Sequence, residues 1–202
     1  LYAWGETYLP TSSVKYGIVT DSIGYSIGLR NGDKIVSVDN QVIDNFAYIT
    51  SDIVLNNRKT IQVDRNGELM NINIPVEYIA QMLKGNGRID PRTPFSPYNV
   101  TAFGKESPAR NAGVMPGDEL VGIDGNKFEW FDEFQSYLAL NKSKTVEVNV
   151  ERNGQQINIP VTLTPEGTLG VGTSRSYDQI FELRTVKYGL LASVPAGISK
   201  GF

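Results

Sequence analysis

Catalysis needs side chains that can move a proton, hold a metal or attack a carbon. This chain is short of them. Its 202 residues include no histidine and no cysteine. That removes Ser-His-Asp and Cys-His catalysis, the HExxH zinc helix, disulfides and thiolate metal sites. Carboxylate-only metal sites are left open, but no calcium-loop spacing supports one. Asp33 and Asp118 are a matched pair, yet each belongs to its own Gly-Asp turn. Turn fixing accounts for them better than a shared acid–base role. Lys105-Glu106-Ser107 has the residue types of a Ser–Lys dyad and reads better as a helix cap, with Pro108 at the first helical position. Gly85-Asn86-Gly87 and Gly170-Val171-Gly172 lack the context of a phosphate loop. Asn99-Val100-Thr101 and Asn141-Lys142-Ser143 match the glycosylation sequon at chance frequency.

The elements behind these residues come in duplicate. Gly28-Leu29-Arg30-Asn31-Gly32-Asp33 returns as Gly113-Val114-Met115-Pro116-Gly117-Asp118, at a constant offset of 85. A repeat longer than about 50 residues marks a duplicated domain rather than a solenoid unit. In each copy a glycine ends a short helix, because it tolerates the left-handed cap. The second glycine permits a tight turn, and the aspartate can bond neighbouring backbone N–H groups. A short strand follows, closing at Asp39-Asn40 or Asp124-Gly125. In the first copy it puts Ile35, Ser37 and Asp39 on one face and Val36 and Val38 on the other.

Taken in order, residues 1–13 form an irregular aromatic lead-in with Tyr2, Trp4 and Tyr8, suited to a membrane-proximal collar. A strand at Tyr16–Val19 and a helix at Tyr25–Leu29 precede the first Gly-Asp block. Phe46, Ile49 and Ile53 then recur at helical spacing behind Asp44 as N-cap. Lys59–Asp64 and Leu69–Val76 predict a hairpin about Asn66-Gly67. Copy two repeats the plan with a strand at Tyr98–Phe103 and the Ser107-Pro108 helix. Its helix carries Phe131, Phe134 and Leu138, and its hairpin turns about Asn153-Gly154. Lys84–Arg92 reads as a linker, and the stretch from Tyr177 to Phe202 as an apolar, Pro- and Gly-broken exit segment that lies on a membrane or packs on domain two.

Composition bounds the rest. The net charge of −3 leaves no basic footprint, so nucleic acid is not an expected partner. No run approaches the ~18–20 apolar residues of a membrane span. The chain opens on Leu1-Tyr2-Ala3-Trp4 with neither initiator Met nor signal peptide, as a piece of something longer would.

Copy two, Ser107-Pro108-Ala109-Arg110-Asn111-Ala112-Gly113 followed by Gly117-Asp118, resembles the PDZ domain. Copy one matches more loosely, with Ile23-Gly24 in place of Pro-Ala. The resemblance implies a mixed α+β fold: two tandem PDZ domains, each a small β-sandwich or partly open barrel with two helices, at residues 14–93 and 94–174, then an extension over 175–202. PDZ domains carry a Leu-Gly-Ile-like edge strand that pairs with a ligand. Here Leu169-Gly170-Val171 follows copy two and Gly87-Arg88-Ile89 follows copy one, which implies a circular permutation. By this likeness Leu169, Gly170, Val171 and Gly172 line the second groove. The helix with Phe134, Tyr137 and Leu138 walls it, and Tyr137 faces the ligand. In copy one Gly87, Arg88 and Ile89 form the strand, with Ile49 and Asp52 on the wall. An extended peptide would add as a strand, and backbone N–H groups would hold a terminal carboxylate.

The tandem copies with an aromatic lead-in and apolar exit are similar to the periplasmic insert of RseP-type site-2 proteases. That likeness implies a fragment without catalytic residues or cofactor of its own, with zinc in the parent. It implies a monomeric, membrane-proximal module at the periplasmic face of the bacterial inner membrane. There it either binds the C-terminal or extended peptide of a cleaved membrane-protein substrate, such as an anti-sigma factor, or excludes uncut ones. The alternatives are the PDZ pair of an HtrA-type serine protease and a non-enzymatic envelope scaffold.

Overall fold

The computed structural model describes residues 5–173 and 175–186. The described residues fall into two compact units: residues 5–91 with 180–186, and residues 92–173 with 175–179. The aromatic residues Tyr2 and Trp4, and the tail from Lys187 onward, lie outside the described residues.

Unit 1 runs β1 (Glu6–Tyr8), β2 (Ile18–Thr20), α1 (Ser22–Ile27), β3 (Lys34–Val38), α2 (Ile49–Leu55), β4 (Thr60–Arg65), β5 (Glu68–Asn73), α3 (Val76–Met82) and β6 (Ile89–Pro91). A closing strand, Arg184–Val186, pairs antiparallel with β1. The core is aliphatic, built on Ile18, Leu29, Val38, Ile49, Ile53, Ile61 and Val63. Unit 2 runs β7 (Tyr98–Asn99), β8 (Ala102–Phe103), α4 (Pro108–Ala112), β9 (Glu119–Ile123), α5 (Phe131–Leu140), β10 (Thr145–Arg152), β11 (Gln155–Thr162) and β12 (Val171–Gly172). Four of its strands form one sheet in the order β11-β10-β9-β7. Its core adds aromatic rings: Phe95 lies 4.8 Å from Phe134, and Tyr98 stacks on Phe131 at 5.8 Å.

The turn residues behave as their chemistry demands. Gly28 and Gly113 end α1 and α4 in the left-handed region, at φ 106° and 105°. Ser107 accepts from Arg110 N as the cap of α4, with Pro108 in its first turn. Both hairpins turn through two residues of positive φ, Asn66-Gly67 and Asn153-Gly154, which matches the right-handed twist of the strands. Pro160 is tolerated because β11 is an edge strand, bonded only to β10.

Several expectations shift. The lead-in is not irregular throughout. β1 is paired, Leu9 is buried, and a 3-10 turn covers Thr11–Ser13. Asp44 does not cap the following helix. It accepts from Tyr8 Oη and Arg184, while Asn45 accepts from Ala47 N and starts a 3-10 turn that runs into α2. The strict alternation expected of β3 is broken by a bulge between Ile35 and Ser37, so Ile35, Ser37 and Val38 are all buried. The strand expected over Leu69–Val76 stops at Asn73, because Ile74-Pro75 leads into the unanticipated helix α3. The extension expected at 175–202 divides at Gln179, and Phe181 packs 6.1 Å from Tyr16 in unit 1.

Candidate binding groove

Each Gly-Asp turn rests on a charge pair whose aspartate is buried and whose arginine is partly exposed. Asp33 and Asp118 are 0 % and 1 % exposed. Asp118 accepts from Met115 N and, through both oxygens, from Arg152 Nε and Nη2 at 2.6 and 2.8 Å. Arg152 Nη2 also donates to Gly113 O, the C-cap of α4. Arg65 does the same for Asp33 and Gly28 O. A bidentate fork thus ties helix end, turn and hairpin together. The arginine beside Asp118 holds its carboxyl below the ordinary carboxylate range, against the opposing pull of burial. These aspartates are structural, as their separate turns imply.

The open feature lies on the other side of unit 2. A cleft of about 360 Å³ runs between α5 and the 166–171 segment. Phe131, Phe134 and Leu138 form one wall, Leu169 and Val171 the other, with Tyr98 at the floor. Gln135, Ala139 and Glu166 stand at its rim.

β12 is fixed from behind. Val171 lies opposite Phe103, and Gly104 N donates to Gly170 O at 2.9 Å. In an antiparallel ladder this register turns the N–H and C=O of Val171 away from β8, toward the cleft. The Leu169 carbonyl is held by Ala109 N and Ser107 Oγ. No described residue accepts from the N–H of Leu169 or Gly170. The Val171 carbonyl accepts from Tyr98 Oη at 3.4 Å, a long bond that an incoming strand would replace. The site therefore presents the outer edge of β12 and two backbone donors beside an apolar trough, the chemistry of strand addition and anion capture. Gly170 makes this possible. Its φ is +68°, and a Cβ there would sit 2.6 Å from Glu106 O and Ser107 Cα.

Of the residues anticipated in copy two, Leu169, Gly170, Val171, Phe134 and Leu138 line this cleft. Gly172 is the strand residue beyond it, taking Thr101 N at its carbonyl. Tyr137 faces elsewhere. Its hydroxyl donates to Asp124 Oδ2 at 2.7 Å, and its ring lies 5.6 Å from Phe128. That bond raises the phenol's pKa. Phe131 and Tyr98, by contrast, complete the trough, and sequence reasoning had placed them only in the core or a strand. The helical phase of Phe131 with Phe134 and Leu138 was the available signal; Tyr98, on β7, shared no such period.

The copy-one residues do not assemble into an equivalent trough. Ile49 and Ile89 are buried in the core. Asp52 is bound bidentately by Arg58. Arg88 pairs with Asp90 at 2.5 Å. Gly87 packs under Tyr78 of α3. Among the described residues no cluster of His, Cys, Asp or Glu is arranged to hold a metal ion. No described helix is long and apolar enough to cross a membrane.

This geometry is similar to that of a PDZ domain, and residues 93–163 match the model for the PDZ domain. A "Putative zinc metalloprotease" of Rhizobium meliloti is 32% identical over 111 residues, covering 48% of this chain and 29% of its own length. One of Treponema pallidum is 25% identical over 178 residues, covering 86% of this chain and 38% of its own. The zinc metalloprotease RasP of Geobacillus kaustophilus is 26% identical over 93 residues, covering 46% and 21%. The likeness to this protease group, read from the Gly-Asp blocks, stands, and the chain spans well under half of each relative.

Proposed function

We propose that this chain is the substrate-recognition region of a membrane-embedded site-2 zinc protease, and that unit 2 binds an extended peptide by strand addition. The observation that carries this reading is the outer edge of β12, its carbonyl held only by the long Tyr98 hydroxyl bond, beside an apolar trough. The names of the relatives favour it over the HtrA-type and scaffold alternatives. In this reading unit 1 is a second, divergent copy of the same permuted PDZ plan. In each unit the strand that follows the hairpin pairs with an early one, β6 with β2 and β12 with β8, in support of the permutation. In this reading zinc belongs to other parts of the parent. β1 and Arg184–Val186 lie side by side, Glu6 opposite Val186, so one tether point could serve both ends of an insert. The ligand is the newly exposed C-terminal or extended segment of a clipped single-pass membrane protein, an anti-sigma factor or its like, met at the periplasmic face of the inner membrane. Bulky uncut substrates are excluded in the same encounter.

Ala139 offers a test that spares the fold, since it is exposed on α5 yet lines the cleft. Ala139→Trp is expected to fill the trough and weaken an apolar peptide at least ~10-fold, about 1.4 kcal/mol. Tyr137→Phe, on another face of the same helix, should leave affinity unchanged. Fluorescence titration with a labelled apolar peptide reads both. Equal affinity for Ala139→Trp and the unaltered chain would place binding elsewhere.

A further inference from the structure

Unit 1 carries what unit 2 lacks in the segment before its last strand. Residues 74–88 separate β5 from β6, whereas only residues 163–170 separate β11 from β12. The surplus equals the seven residues of α3. α3 packs on both α1 and α2. Its Tyr78, Ile79 and Met82 are buried in one cluster with Ile49 and Ile53 of α2 and Ile89 of β6. In the order of elements α2 and β6 correspond to α5 and β12, which flank the trough in unit 2. Tyr78, only 2 % exposed, donates from Oη to Gly87 O at 3.0 Å. A Cβ on Gly87 would lie 2.8 Å from the Tyr78 ring and 3.2 Å from Met82.

The backbone donors are taken as well. Asp21 caps α1 with Oδ1, through Ile23 N and Gly24 N. Its Oδ2 accepts from Gly87 N and Arg88 N at 2.8 and 3.2 Å. Burial works against this charge, but the four N–H groups outweigh it and hold the carboxyl below its ordinary range. The capping residue in unit 2 is Ser107, whose hydroxyl goes to a carbonyl, Leu169 O, and so leaves the loop N–H groups alone.

We propose that α3 and Asp21 together occupy the groove of unit 1 as a built-in ligand, the helix filling the apolar trough and the aspartate standing for a peptide's carboxylate. Peptide reading is thereby confined to unit 2. The proposal rests on the strand-addition reading above.

The test follows backbone amides of the 202-residue chain by NMR while an apolar peptide with a free C-terminus is added. In the unaltered chain, Leu169, Gly170 and Val171 shift, and Ile49, Ile53 and Ile89 do not. In Asp21→Ser/Tyr78→Ala, where serine keeps the cap as Ser107 does, the unit 1 amides are expected to shift too, with affinity raised at least ~10-fold. Peptide-induced shifts in unit 1 of the unaltered chain overturn the proposal. So does a folded double variant whose unit 1 stays silent. If that variant loses its fold, Asp21→Ser/Tyr78→Phe keeps the ring, and unit 1 must respond at higher peptide concentration or the proposal falls. Silence of unit 2 in every arm counts against the strand-addition reading instead.

Discussion

Asp118→Ala is expected to cost unit 2 about 1.5–3 kcal/mol, the range for hydrogen bonds to a charged group, since Arg152 is 24% exposed and water can reach its charge. The size follows from what remains. Arg152 would keep its position over the Gly113 carbonyl with its charge uncompensated, and Met115 N would lose its acceptor. For a unit of this size that corresponds to roughly 6–24 °C in the midpoint of thermal unfolding. Arg152→Lys should also destabilise, by less, because an ammonium cannot bond both oxygens as the fork does. Differential scanning calorimetry checks both, and a fall under ~5 °C for Asp118→Ala would contradict the role assigned to the pair. The sign of the pH effect is fixed too. Asp118 has a folded-state pKa below its ordinary value of 3.8, chiefly through the Arg152 hydrogen bond. Its contribution is present above that ordinary value and is lost as pH falls below it, through the lowered folded value. Asp118→Ala should therefore flatten the acid limb of the stability curve.

Gly170→Ala is expected to do less to stability and more to binding. A left-handed φ costs alanine about 1 kcal/mol. The added methyl would also sit 2.6 Å from backbone atoms of Glu106 and Ser107. Those atoms belong to the capped start of α4 and cannot swing aside as a side-chain tip would. The edge must move instead, carrying the Leu169 and Gly170 N–H groups and the Val171 edge off their positions. A loss of peptide affinity of ~10-fold or more should follow, with the calorimetric midpoint lowered by only a few degrees. Affinity within twofold of the unaltered chain would show that the loop geometry does not matter to the ligand.

How much of this could be read in the sequence depended on the range of the interaction. The helix stops at Gly28 and Gly113, the turns at Asn66-Gly67 and Asn153-Gly154, and the Ser107-Pro108 start are local chemistry, and all appear where expected. The edge segment Leu169-Gly170-Val171 was legible through its likeness to PDZ domains. The arginine partners were not. Arg65 and Arg152 stand two residues off the 85-residue offset, because the first hairpin turns two residues earlier, and a strict search at that offset passes them by. Tyr137 was misdirected because helical phase says which residues share a face but not which neighbour that face meets. Here the turn at Asp124 takes it. α3 went unread for a related reason. Ile72-Asn73-Ile74 continues the strand alternation into Pro75, and Tyr78, Ile79 and Met82 give too short a period to stand out. Only the packing shows that this short helix lies in unit 1 where unit 2 is open.

The most direct measurement is NMR shift mapping of the isotopically labelled chain against apolar peptides, with a free C-terminus and with an amidated one. The account predicts shifts at Leu169, Gly170 and Val171 and along α5, weakened by amidation where the N–H groups hold a carboxylate. An absence of shifts there at millimolar peptide would contradict strand addition. It would leave exclusion of bulky substrates as the function of the groove-bearing unit.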